Sequence, residues 1–348
     1  MAEESDIYGD SLPQARDFKL DPLLNFALQD LNAIVAVSAP LRNVQRAFGD
    51  NIHRLQSTII LPVFNVRFAC SLERCVAIAE HEQNGFINIE IATEPMPQRI
   101  VDRAIELFHQ ANQAEAVREG KAGFNEELNF RINQAFHSLV NMSKAPSYQV
   151  IRGIEAMLTS LILGMWTTFE TMARDLWESA VNTHPKRLSS LDGNWKRLRK
   201  TPAIAGQLPT KSEQQYESKQ VSLNLIQMNA YDLRNCMGTI LRDRFGFDRL
   251  DGIREAYGLA FSEDTAQIDA ALTDTALDSL SSVRNLLVHR GGRVDKEYEK
   301  HAKRLSIPQA AIGEPILLDG EIVVNLVVGA FKAANDLLAG VEEWLTKN

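Results

Sequence analysis

The hydrophobic pattern is most regular in the second half of the chain. From Ile151 to Thr183 apolar residues recur at three- and four-residue intervals, through Ile154, Leu158, Ile162, Met165, Phe169, Met172, Leu176 and Ala180, and Pro185 stops the run. A stripe with that period predicts one amphipathic core helix of about nine turns. Helical patterning resumes over 221–245, 250–261 and 274–289, where Gly291 and Gly292 offer the left-handed backbone that ends helices. Ile316-Leu317-Leu318, Asp319-Gly320 and Ile322-Val323-Val324 have the pattern of a small β-hairpin with Asp-Gly in a two-residue turn. Asn325 then stands where a cap belongs, before a last amphipathic helix through Val328, Phe331, Leu338, Val341 and Leu345.

The first half is less regular. Residues 1–20 carry Glu3, Glu4, Asp6, Asp10 and Asp17 against Arg16 and Lys19, with few apolar residues, and are expected to form a mobile acidic tail. Over 21–145 helical periodicity dominates, as in Leu23, Phe26, Leu31 and Ile34. Within it, Thr58 to Cys70 is rich in β-branched and aromatic residues. Gly85 is followed by Phe86-Ile87-Asn88-Ile89-Glu90-Ile91, which alternates like a half-buried strand. The turn-forming segment Ser143 to Tyr148 marks a domain boundary. The fold expected is therefore mainly α, with an N-terminal α+β domain over 21–145 and a helical bundle over 150–348 that carries a small β-hairpin before its last helix.

Composition narrows the function classes. The chain has 348 residues, 45% hydrophobic and 24% charged, enough for two cores of ordinary size. No uninterrupted apolar stretch approaches the roughly 18 residues of a membrane span, and the acidic start lacks the basic-then-apolar plan of a secretory signal, so a soluble, cytoplasmic protein without membrane partners is expected. A net charge of −8 excludes a general nucleic-acid coat and leaves phosphate contacts to local basic surface. Residues 184–211 form the one strongly basic stretch, with Lys186, Arg187, Lys196, Arg197, Arg199 and Lys200 around Trp195, whose ring could stack on a base. A solvated charge run is the plainer account of the same residues. Cys70, Cys75 and Cys236 lack paired spacing, and the seven histidines lack ligand spacing, so neither a bound metal nor a cofactor is expected.

One segment, Ser282 to Tyr298, concentrates chemistry at the end of an otherwise apolar helix. Arg followed by His with four to six residues between occurs at Arg46/His53, Arg74/His81, Arg103/His109, Arg131/His137 and Arg284/His289. Only in the last is the arginine followed directly by a polar residue, Asn285. On a regular helix Asn285 and His289 share a face, while Arg284 lies about 140° away and must reach round. A histidine in the last turn profits from the helix dipole, and the glycines after it leave its flank open. Guanidinium beside imidazole suits phosphate chemistry, the first neutralising oxygens and the second moving protons. The alternative is structural: Arg284 and His289 finish the helix end and pair with Glu170 or Asp295.

The run RNLLVHRGGRVDKEY from Arg284 to Tyr298 resembles the signature of the HEPN superfamily, in which Arg is followed by a polar residue and, a few positions on, by His. The likeness covers about 150–348, including Phe169-Glu170 in the long helix, which looks like the aromatic-Glu pair of that family's first core helix. It implies a metal-independent endoribonuclease acting as a homodimer, with Arg284 and His289 of two subunits in a shared RNA-cleaving cleft, in a toxin–antitoxin, abortive-infection or antiviral setting. An antitoxin or neighbouring regulatory protein would then be a further partner. By the same resemblance Arg284 stabilises phosphate, His289 is general acid or base, Asn285 orients the site and Glu170 supports it. Members that have lost catalysis serve instead as dimerisation or nucleotide- and partner-binding modules. The first 145 residues carry no such likeness.

Overall fold

The computed structural model describes residues 18–29, 37–85, 96–121, 123–143, 148–198 and 223–348. These are mainly α-helical, and among them the only β pairing is an isolated antiparallel bridge between Arg293 and Pro315. In chain order the helices are α1 (Asp21–Ala27), α2 (Arg42–Asn84), α3 (Gln98–Arg118), α4 (Phe124–Ser143), α5 (Tyr148–Thr183) and α6 (Pro185–Leu188). They continue with α7 (Leu223–Met228), α8 (Met237–Leu241), α9 (Leu250–Ala260), α10 (Ala266–Leu272), α11 (Thr275–Arg290), α12 (Lys296–Ala302) and α13 (Gly320–Lys347). The chain divides into two compact units, residues 1–27 with 57–155, and residues 28–56 with 156–348.

The first unit is helical wherever it is described. Thr58 to Cys70, expected to favour a strand, lies inside α2. Ile59 and Val63 there are buried at four-residue spacing, so helical period outweighs the β preference of the individual residues. Gly85, at φ +77°, ends α2. The segment 86–91, expected to alternate as a strand, lies outside the described residues, as does most of the acidic tail. A small core joins Cys75 and Ala79 of α2 to Ile100 and Ala104 of α3. On its rim Arg103 pairs with Glu82 at 2.7 Å and Arg67 with Glu115 at 3.0 Å.

In the second unit the long helix predicted from Ile151 to Thr183 is α5. It buries Trp166, Phe169 and Trp177. The indole N–H of Trp177 donates to the Ala256 carbonyl at 2.9 Å, and the Tyr257 hydroxyl donates to Ala173 O at 2.8 Å, so these two rings are also satisfied as polar groups. α11 presents Leu277, Leu280, Val283 and Leu286 inward at three-residue steps. Each such side chain contributes about 1.5–3 kcal/mol by leaving water. α13 packs on α10 and α11.

The hairpin expected at 316–324 is not formed, because Asp319 is the N-cap of α13, accepting from Ile322 N, and Gly320 is the first helical residue. Ile322-Val323-Val324 are therefore helical, and Asn325 lies inside the helix rather than at its cap. The stretch expected as one helix over 221–245 is broken: residues 221–222 lie outside the described residues, and α7, α8 and a 3₁₀ turn at Arg242–Arg244 follow. Two helical stretches, Ala39–Asn84 and α13, are long and apolar enough to cross a membrane by length and composition. α13 has 56% of its apolar window buried inside the protein, as a core helix does.

Candidate functional site

Both ends of α11 are fixed by its own sequence. Asp274 caps the start, its carboxylate accepting from Ala276 N at 2.8 Å. Gly291, at φ +58°, ends it in the left-handed region, and the Gly292 N–H returns to Leu286 O at 3.1 Å. The chain is then held by hydrogen bonds between 292–294 and 313–316, with Val294 N to Glu314 O at 2.9 Å and Ile316 N to Gly292 O at 2.9 Å. Asp295 caps α12 through Glu297 N and Tyr298 N. This path lays α12 against α11.

The result is an open cleft of about 480 Å³, and Arg284, Asn285 and His289 all line it. Arg284 is half-buried, its guanidinium 5.7 Å from the Trp166 ring centroid and donating to Asn285 Oδ1 at 2.9 Å. A cation over an indole face is attracted by the ring quadrupole, and an amide oxygen fixes its rotation. His289 is exposed and has no side-chain partner among the described residues. The pairing with Asp295 that a structural role would give the imidazole falls to Arg290 instead, at 3.3 Å.

Glu170 stands near this group on α5. Burial raises its carboxyl above the ordinary value, the Arg284 charge opposes that rise, and Asp248 adds to it. Asp295 is held below the usual carboxylate range, mainly by the backbone N–H of Tyr298. Among the described residues no group of three or more His, Cys, Asp or Glu could hold a metal ion.

The basic stretch has a different fate. Arg197 lies in a 3₁₀ turn (Trp195–Leu198) and is tied into the fold, bonded to Asp269 Oδ2 at 2.8 Å, Gly258 O at 2.7 Å and Phe261 O at 2.5 Å. It is not free to gather RNA. Trp195 lies with its backbone against Gly258, where a Cβ would come within 2.5 Å of the Trp195 Cα. Arg187 donates to the side chain of Asn348, and Lys186 and Lys196 are exposed. Arg199 and Lys200 lie outside the described residues. None of the described members of the stretch lines the Arg284–His289 cleft.

Several cleft residues were not evident from the linear motif. His301 arrives on α12, its Nδ1 3.0 Å from Ser282 Oγ on α11. Asp248 and Arg249 arrive on the turn before α9, and Arg249 is the N-cap residue of that helix. Gly252 allows this turn to approach, since a Cβ there would stand 2.0 Å from the Gly246 carbonyl oxygen. No spacing along the chain marks His301, which reaches the cleft only because α12 packs back on α11. No protein family, curated protein or solved structure matches this chain.

Proposed function

We propose that the second unit is a metal-independent endoribonuclease of HEPN type, acting on single-stranded or loop RNA. The observation that carries this reading is the open cleft in which Arg284 is pre-oriented while the His289 imidazole, next to it, has no partner among the described residues. The carboxylate pairing that a structural role would offer His289, with Asp295, is made by Arg290 instead. In the proposed reaction Arg284 neutralises the phosphate, Asn285 holds the guanidinium in place, and His289 moves a proton. Glu170, raised by burial and facing Arg284, keeps that guanidinium in the cleft without a direct ion pair. A homodimer that brings two such clefts together, and a toxin–antitoxin or antiviral setting with a restraining antitoxin, belong to the same proposal.

The test is cleavage of a labelled single-stranded RNA in EDTA, with the products identified as a 2′,3′-cyclic phosphate and a 5′-hydroxyl. Arg284→Ala and His289→Ala are expected to lower the rate about 10²–10⁴-fold, with melting temperature unchanged. Equal cleavage by wild type and both variants, or dependence on added Mg²⁺, would overturn the reading.

A further inference from the structure

Phosphodiester transfer to a 2′-hydroxyl needs two proton transfers on opposite sides of phosphorus, because the attacking and leaving oxygens lie roughly in line. His289 supplies one imidazole. The same cleft holds a second, His301, on α12. Both are exposed, so neither is held by the core.

Ser282, Asn285 and His289 fall at i, i+3 and i+7 along α11 and therefore share one face. Ser282 and His289 stand about 10 Å apart along the helix axis. Ser282 Oγ takes Nδ1 of His301 at 3.0 Å, which fixes the ring, while Nε2 has no partner among the described residues. The two imidazoles thus sit at opposite ends of a stripe whose middle is Asn285, the residue that holds the Arg284 guanidinium. That is the order an in-line displacement requires: proton carrier, phosphate clamp, proton carrier.

The charges around His301 are balanced. Arg284 and Arg290 face the cleft from α11, Asp295 and Glu297 from the start of α12, and Asp248 and Arg249 from the turn before α9. Tyr298 also lines it, but its hydroxyl donates to Pro308 O at 2.9 Å, and burial pushes its titration up, away from neutral pH. Guanidinium groups stay charged throughout, so the groups of this cleft left to carry protons in the proposed reaction are its histidines.

We propose that His301 is the second proton-transferring residue of this cleft, so that one chain carries a complete acid–base pair on a phosphodiester seated at Arg284. The inference rests on the ribonuclease reading above. In the reaction the 2′ oxygen bonds to phosphorus as the bond from phosphorus to the 5′ oxygen breaks. One imidazole takes the 2′-hydroxyl proton and the other, as imidazolium, gives its proton to the departing 5′ oxygen. Ser282 is a positioning residue that acts through His301.

The experiment measures kcat against pH for the full chain on a dinucleotide and on uridine 3′-(4-nitrophenyl phosphate), whose phenolate leaves without a proton. Wild type should give a bell-shaped profile on the dinucleotide. His301→Gln and His289→Gln should each lose one limb and about 10²–10³-fold in rate, and the nitrophenyl ester should rescue one of the two variants and not the other. Ser282→Ala should lower kcat about tenfold with KM unchanged. If His289→Gln is inactive while His301→Gln keeps the wild-type rate and both limbs, the inference falls and the ribonuclease reading survives. If wild type cleaves neither substrate nor longer RNA, both fall.

Discussion

The two ends of α9 treat a guanidinium in opposite ways. At the C-terminal end Arg197 delivers its donors to the Gly258 and Phe261 carbonyls and to Asp269, where the helix dipole favours a cation and unpaired carbonyls need donors. At the N-terminal end Arg249 occupies the capping position, where the dipole disfavours a cation, and its guanidinium has no hydrogen bond or ion pair among the described residues. The first cation is committed to folding. The second is left toward a cleft that also holds Arg284 and two histidines. Arginine count alone could not separate them, and what distinguishes them is whether the fold already contains their anion.

The largest effect that sharpens this contrast belongs to Arg254, in the middle of the same helix, 5% exposed and bonded to Asp278 Oδ1 at 2.8 Å and Leu272 O at 2.9 Å. Arg254→Ala removes the nearly buried cation of this pair and its bond to Leu272 O, and is expected to cost about 3–5 kcal/mol in urea denaturation. Arg197→Ala should follow, at about 2–3 kcal/mol, because three carbonyls and a carboxylate lose charged donors. Gly252→Ala should cost about 1–3 kcal/mol by pushing the Gly246 turn away, and should lower RNA binding because Asp248 and Arg249 move with it.

Arg249→Ala reverses the pattern. Stability should stay within about 0.5 kcal/mol of wild type, while the slope of RNA affinity against salt falls by about one. A loss of stability as large as that of Arg197→Ala would erase the contrast between the two ends of α9.

The smallest effect concerns Glu170. Its folded-state titration is raised above the unfolded value, so its contribution to stability is full below the ordinary carboxylate range and is lost as pH rises through the folded value. Glu170→Gln should therefore melt above wild type at pH 8, with the difference shrinking towards pH 4. A difference that grows on acidification would mean that the carboxylate is stabilised by Arg284 rather than penalised by burial.

Much of the helical frame was legible because period and punctuation agree. The α11 pattern, its Asp274 start and its Gly291 stop stand in the sequence as they do in the fold. The placement of Arg284, Asn285 and His289 together was legible for the same reason, since they lie on one short, well-capped element. Asp319-Gly320 misled because Asp before Gly serves equally as a turn and as a helix start. What decides is whether the following β-branched residues bury at period two or at three to four, and Val323, Leu326, Val327 and Ala330 do the latter. His301 and Arg249 were hidden for a different reason. They reach the cleft through tertiary returns, one past the Arg293–Pro315 bridge and the other over the Gly246–Gly252 approach, and no spacing along the chain encodes either.

The two oxygens of Asp295 divide their labour. Oδ1 receives the Glu297 and Tyr298 amides that start α12, and Oδ2 alone meets Arg290. An anion entering the cleft can therefore draw Arg290 off its tether without unravelling the helix that carries His301. The rim of the cleft is exchangeable while its frame is permanent: Arg290 can trade one anion for another, and α12 keeps its cap throughout.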